Sequence, residues 1–154
     1  MKLLLTCAAF AIAGLASPVT VVSSGLAADA TQPEIQQIDL SKLTHKQLAR
    51  FPGVSNAFLL GAFNKPGLYA AHGIMAAGTK FPPHQHPDVR LSIVVSGTMY
   101  LGQGETFEED KLVAYPVGTV AITPANTPHF MFAKDGDVKI LEIGAGPSGA
   151  KFFE

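Results

Sequence analysis

Two histidines one residue apart, His84 and His86 in GTKFPPHQHPDVRLSIVVSG, and a third, His129 in GTVAITPANTPHFMFA, are the side chains of this sequence best suited to chemistry. On an extended strand alternate side chains leave by one face, so His84 and His86 point together and can grip one ion. Two ligands hold a metal weakly. His129, presented at the start of another strand by a turn that Pro124 and Pro128 fix, is the third candidate. Neutral imidazoles suit zinc, iron, manganese, nickel or copper to differing degrees, and three of them leave a position open for water or a substrate.

Asp88 and Arg90 follow at once, and the same alternation places both on the inward face with the histidines. A guanidinium keeps its proton and cannot be a ligand. Two like charges about 5 Å apart repel by roughly 3 kcal/mol at an effective dielectric near 20, and by about twice that when one of them is a divalent ion. An anion must offset this. Asp88 can do so as a fourth ligand or as the arginine's partner; so can the carboxylate of a bound molecule, which arginine reads through two parallel hydrogen bonds. Arg90 and Asp88 are therefore the candidate catalytic residues, and His84, His86 and His129 the metal ligands.

The elements that must position these groups are strands. From Tyr69 onward, short runs rich in Val, Ile, Phe and Tyr recur between Gly or Pro punctuation: YAAHGIM, VRLSIVVSG, TMYLGQG, KLVAYP, TVAITP, HFMFA and DVKILEIG. This spacing, with no long helical period, predicts an all-β sandwich or barrel. An earlier strand lies between the breaks at Pro52-Gly53 and Pro66-Gly67. DLSKLTHKQLAR predicts one short helix capped by Ser41. Phe152 and Phe153, after a glycine-rich stretch, are expected to pack back onto the sheet. His45 reads as a surface residue, His72 as a core histidine, and Tyr100 and Gln103 as residues that could line a pocket. Leu91, Ile93 and Val95 occupy the face opposite the histidines, which predicts a covered sheet, either by the N-terminal segment or, as favoured here, by a second copy in a homodimer.

A chain of 154 residues, 47% apolar, is enough for one core. With 15% charged residues and a net charge of −1, it offers no field for a run of phosphates, which excludes nucleic acid as a partner and leaves a small molecule. The first 30 residues carry one lysine, an uncharged run from Leu3 to Leu15 and the triplet Ala28-Asp29-Ala30, the pattern of a cleaved signal peptide, with an uncleaved membrane anchor as the alternative that Pro18, Thr20 and a Ser-Gly pair disfavour. Cleavage predicts a periplasmic or secreted protein with no membrane attachment, an N-terminal extension over 31–50 and one domain over 51–154. It also removes Cys7, the sole cysteine, so the mature chain must build any metal site from histidines and carboxylates.

These residues resemble the cupin superfamily. Its first motif falls on Gly78, His84, His86, Arg90 and Gly97 with every spacing kept, and its second on Gly118, Pro124, Asn126, His129 and Ala133. The flanks PPHQHPD, GQGETF, TPHF and IGAGPSG look like those of small single-domain bacterial cupins, extending the likeness over about residues 50–150. The resemblance implies a double-stranded β-helix, or jelly roll, with a divalent metal in the barrel mouth. Three positions depart from the pattern. Asn126 stands for glycine in a turn that asparagine tolerates, Ala133 replaces a distal asparagine, and Arg90 replaces the carboxylate ligand. Three-histidine cupins lacking that glutamate resemble thiol dioxygenases and diketone-cleaving dioxygenases, which implies an iron-dependent oxidoreductase on a small, carboxylate-bearing molecule. A non-catalytic metal- or anion-binding protein, and a zinc-dependent hydrolase or isomerase with Asp88 as base, are the alternatives.

Overall fold

A computed structural model describes residues 35–153. The signal-peptide reading of residues 1–30 lies outside the described residues. Among the described residues eleven strands form: β1 (Lys46–Gln47), β2 (Val54–Leu60), β3 (Gly67–Met75), β4 (Lys80–Gln85), β5 (Arg90–Ser96), β6 (Thr98–Gln103), β7 (Val113–Pro116), β8 (Val120–Thr123), β9 (His129–Phe132), β10 (Val138–Gly146) and β11 (Lys151–Phe152). They make two sheets, a six-stranded one in the order β1-β2-β3-β10-β5-β8 and a five-stranded one in the order β11-β4-β9-β6-β7. Every pairing is antiparallel. The all-β jelly roll expected from the sequence is the fold of the protein.

Alternation along the strands sorts the side chains. Across the larger sheet, Ala71, Glu142, Ser92 and Ala121 stand side by side in one inward row. Gly73, Ile140 and Val94 form the next inward row, and Met75, Phe81, Met99 and Val138 complete the core between the sheets. The intervening outward rows carry His72, Leu141, Ile93 and Val120, then Ala70, Ile143, Leu91 and Ile122. Leu91, Val120 and Ile122 are exposed there, as is Leu68 beyond them. The apolar outer face read from Leu91, Ile93 and Val95 is thus wider than one strand.

Two local expectations are corrected. DLSKLTHKQLAR does not form an α-helix: Asp39, not Ser41, caps a single 3₁₀ turn over Leu40–Lys42, accepting from the Ser41 backbone N–H at 2.9 Å and from its hydroxyl at 2.6 Å. One turn gains too few hydrogen bonds to propagate. The chain instead extends into β1, which pairs with β2. His45 is not a free surface residue, because its Nε2 lies 2.9 Å from Nδ1 of buried His72. That pair covers the end of the outer face at β3, where burial, then His45 and Lys139, lower the pKa of His72.

The turns behave as their residues require. Asn126 takes a φ of 57°, the left-handed conformation expected for it, and its N–H donates to the His86 carbonyl at 2.6 Å. Gly97, between β5 and β6, has φ 76°, and a Cβ there would meet the Asp137 carbonyl oxygen. The Gly97→Ala protein is accordingly expected to lose about 2–4 kcal/mol, the sum of left-handed strain and overpacking, read as a lower urea midpoint at unchanged m-value.

Candidate metal centre

β4 and β9 are neighbours in the smaller sheet, and their register sets His84 directly opposite His129. His86 follows immediately after β4, two positions on and facing the same way. The ring centroids lie 4.2 Å apart for His84 and His129, 4.7 Å for His84 and His86, and 5.4 Å for His86 and His129. One candidate ligand atom from each falls within 4.8 Å of the other two, and all three residues are buried. The structure therefore gathers the predicted histidines around one point.

Their outer nitrogens are already committed. His84 Nδ1 sits 2.9 Å from the Pro82 carbonyl, His86 Nδ1 2.6 Å from that of Gly149, and His129 Nδ1 2.8 Å from that of Thr127. A carbonyl oxygen only accepts, so each Nδ1 must carry the proton and each Nε2 keeps a free lone pair. This is the arrangement that orients imidazole ligands and raises their basicity toward a metal. Three neutral nitrogens in one tautomer fit a divalent transition ion with nitrogen affinity.

Burial keeps these rings neutral. It is the largest cause lowering His84, with His129 and His86 adding to it, to about 2. Burial and then the Arg90 charge lower His86 to about 4. His129 is lowered by burial as well, against the hydrogen bond to Thr127. Protons bind folded rings of such low pKa poorly, so they compete with a metal only below about pH 4 at His86 and lower still at His84. A protein loaded at about pH 7 is expected to keep most of its metal through dialysis at about pH 5, where ordinary imidazoles are protonated; elemental analysis before and after the dialysis reads this directly.

Arg90 reaches the interior by a different route from the one its spacing implied. The chain leaves β4 at Gln85 and turns through Pro87–Val89, and Arg90 opens β5 in the other sheet, so strand alternation with His86 does not place it. Its inward direction comes from β5, which sets it opposite Thr123 of β8. There it is almost fully buried and paired within the chain. One guanidinium nitrogen donates to Glu142 Oε1 at 3.0 Å and the other to Ser148 Oγ at 3.0 Å. Asp88 Oδ1 lies 3.6 Å from Nε, which has no hydrogen-bond partner among the described residues. The rings of Phe63 and Tyr69 lie 5.1 and 5.5 Å from the charged carbon.

Asp88 is equally engaged, accepting from the hydroxyls of Tyr69, at 2.5 Å, and Ser148. Burial would raise its carboxyl, but those bonds and the Arg90 charge outweigh it and hold the pKa below the ordinary value. Burial, then the hydrogen bond to Asp88, raise Tyr69. Asp88 is not among the atoms gathered around the metal point.

Glu142, Ser148 and Gly149 are the functional neighbours that sequence reasoning missed. Glu142 had a visible signal. In VKILEIG the inward positions of β10 run Val138, Ile140, Glu142, so an acid stands where the pattern calls for an apolar side chain. Gly149 and Ser148 act through a carbonyl and a hydroxyl in a tail without periodicity, which leaves no such mark.

The histidines lie between a larger and a smaller cavity. The larger, about 280 Å³, is lined by His84, His86, Arg90 and Glu142 at its polar end and by Phe51, Phe81 and Phe152 among its walls. The smaller, about 230 Å³, is lined by His129 with Gln103, Thr123 and Thr127. Gln103 thus lines a pocket as expected. Tyr100 lines neither, its hydroxyl donating to Asp135 at 2.5 Å.

Comparison with known proteins agrees with this fold. The family model described as Cupin domain matches residues 71–144. No curated protein sequence matches the chain. Among solved structures, the polyketide cyclase RemF from Streptomyces resistomycificus superposes with a TM-score of 0.62 at 13% identity, covering 79% of this chain and 88% of its own. A sugar phosphate isomerase of the cupin superfamily from Silicibacter pomeroyi gives 0.60 at 17%, covering 77% and 82%. KdgF from a Halomonas species gives 0.56 at 18%, covering 70% and 91%. At such identities the likeness is one of fold. Over residues 71–144 the chain is similar to the cupin domain, and the solved structures share its fold.

Proposed function

We propose that this chain is an exported, metal-dependent enzyme of the dioxygenase type that acts on a small molecule at His84, His86 and His129. The observation that carries the reading is the donor set: three buried imidazoles, each with Nδ1 committed to a backbone carbonyl, and no carboxylate among the gathered atoms. A divalent metal held there would supply Lewis acidity and open positions for substrate and oxygen. The chain's own residues supply the rest. Phe51, Phe81 and Phe152 give the cavity apolar walls, and the Gly149 carbonyl holds the orientation of His86. Arg90 ties Glu142 to Ser148, which fixes the tail that carries Gly149.

Elemental analysis of protein purified from its native compartment, followed by oxygen uptake of the iron-loaded protein with uncharged dicarbonyl compounds and thiols, tests this reading. Uptake is the expected result. Metal retention with no turnover of any compound would move the assignment to a binding protein. A second reading, metal-assisted proton transfer in an isomerase or lyase, draws on Glu142, a carboxylate in the same cavity as His84 and His86; it predicts turnover without oxygen.

Two further expectations stand beside this proposal. Export rests on the pattern of residues 1–30. A homodimer rests on the outer sheet face, where Leu91, Val120 and Ile122 are exposed together. Light scattering is expected to give the dimer mass, and Ile122→Glu the monomer mass.

A further inference from the structure

We infer that the larger cavity takes an uncharged, predominantly apolar molecule with one polar head directed at the metal point, and rejects molecules that carry a charge on their body. This rests on the metal reading above and narrows its substrate class. The walls are the first ground. Apart from the histidines, Arg90 and Glu142, the cavity is lined by side chains such as Leu48, Phe51, Met75, Phe81, Val138 and Phe152, with Ser55 and Asn56 as neutral polar groups.

The second ground is the charge balance. Arg90 is the one cation among the lining residues, and it faces Glu142 at 3.0 Å and Asp88 at 3.6 Å, so one positive charge meets two negative ones. Two of its nitrogens already donate to Glu142 and Ser148, and the third is buried toward Asp88. The paired hydrogen bonds that would read a substrate carboxylate are thus taken, and to free them would leave Glu142 facing the cavity without its partner. A phosphate or carboxylate on the body of a ligand would also lose its hydration against aromatic and aliphatic walls, where Ser55 and Asn56 offer only neutral donors and no second cation lines the cavity. This revises the expectation, drawn from the sequence, that Arg90 anchors an external carboxylate.

The test uses the zinc-loaded chain, since zinc is redox-inert, and three aromatic probes of one size: 2-naphthol, naphthalene and 6-hydroxy-2-naphthoic acid. The protein contains no tryptophan, so probe emission can be followed directly. The expected result is that 2-naphthol binds at least tenfold more tightly than 6-hydroxy-2-naphthoic acid, and more tightly than naphthalene. Equal or tighter binding of the acid overturns the inference, as does a chain that keeps its zinc and binds no naphthol. A chain that takes up no zinc overturns the metal reading itself, and this inference with it.

Discussion

His84→Ala and His129→Ala proteins are expected to lose essentially all bound metal on dialysis, while His45→Ala keeps it. Removing a ligand leaves two imidazoles, and disturbing even an outer hydrogen-bond partner of a metal ligand typically weakens binding by about 10–100-fold, so the loss here should reach at least about 100-fold. His84 and His129 face each other across β4 and β9, and each Nδ1 is held by a carbonyl two residues earlier in the chain, so neither ring can be replaced by a neighbour swinging in. His45 lies on the other side of the larger sheet, against His72. Elemental analysis of the three variants at equal protein concentration reads the outcome, and unchanged metal in His129→Ala would remove that residue from the site.

Arg90→Ala is expected to be the most destabilising single substitution at the site, at about 3–5 kcal/mol, the usual cost of breaking a buried ion pair by deleting one partner. The charge it removes is the one that faces Glu142 and Asp88, and its side chain is almost fully buried. The measurement is the denaturant midpoint at unchanged m-value. Arg90→Met combined with Glu142→Gln and Asp88→Asn is expected to recover a fraction of the loss, because the carboxylates are then neutralised together with their partner. The pH dependence has a definite sign. Asp88 is held below its ordinary pKa in the folded chain, so its contribution is present above about pH 4 and is lost as pH falls through the folded value. Deleting Arg90 removes one of the causes of that depression, and the stability of Arg90→Ala should therefore fall less between about pH 6 and about pH 3 than that of the wild type.

The same pair of residues marks the limit of what the sequence could tell. Arg90 was legible as an anomaly, a cation where a carboxylate ligand was expected, and its need for an anion followed from electrostatics alone. Which anion it finds was not legible. Glu142 stands 52 positions away and arrives only because β10 pairs with β5, setting Glu142 beside Ser92, two residues along from Arg90. The even spacing from His86 to Arg90 invited one continuous strand, yet the chain changes sheets between them, and Arg90 faces inward for a different reason. His45 misled in the opposite direction: in a polar segment it reads as solvated, and only the pairing of β1 with β2 brings it to His72.

What the sequence determined by itself was local, the segment before β2 apart. Gly and Pro punctuation set the strands, the two-residue period turned His84 and His86 to one side, the Pro124–Pro128 turn delivered His129, and the left-handed tolerance of asparagine suited Asn126 to its corner. Tertiary structure alone decided the partners: the Gly149 carbonyl on His86, Glu142 and Ser148 on Arg90, and the apolar walls that line the cavity. The physical reason is that alternation and turn geometry act over a few residues of one strand, whereas hydrogen-bond and ion-pair partners are chosen by the register between strands that lie far apart in the chain.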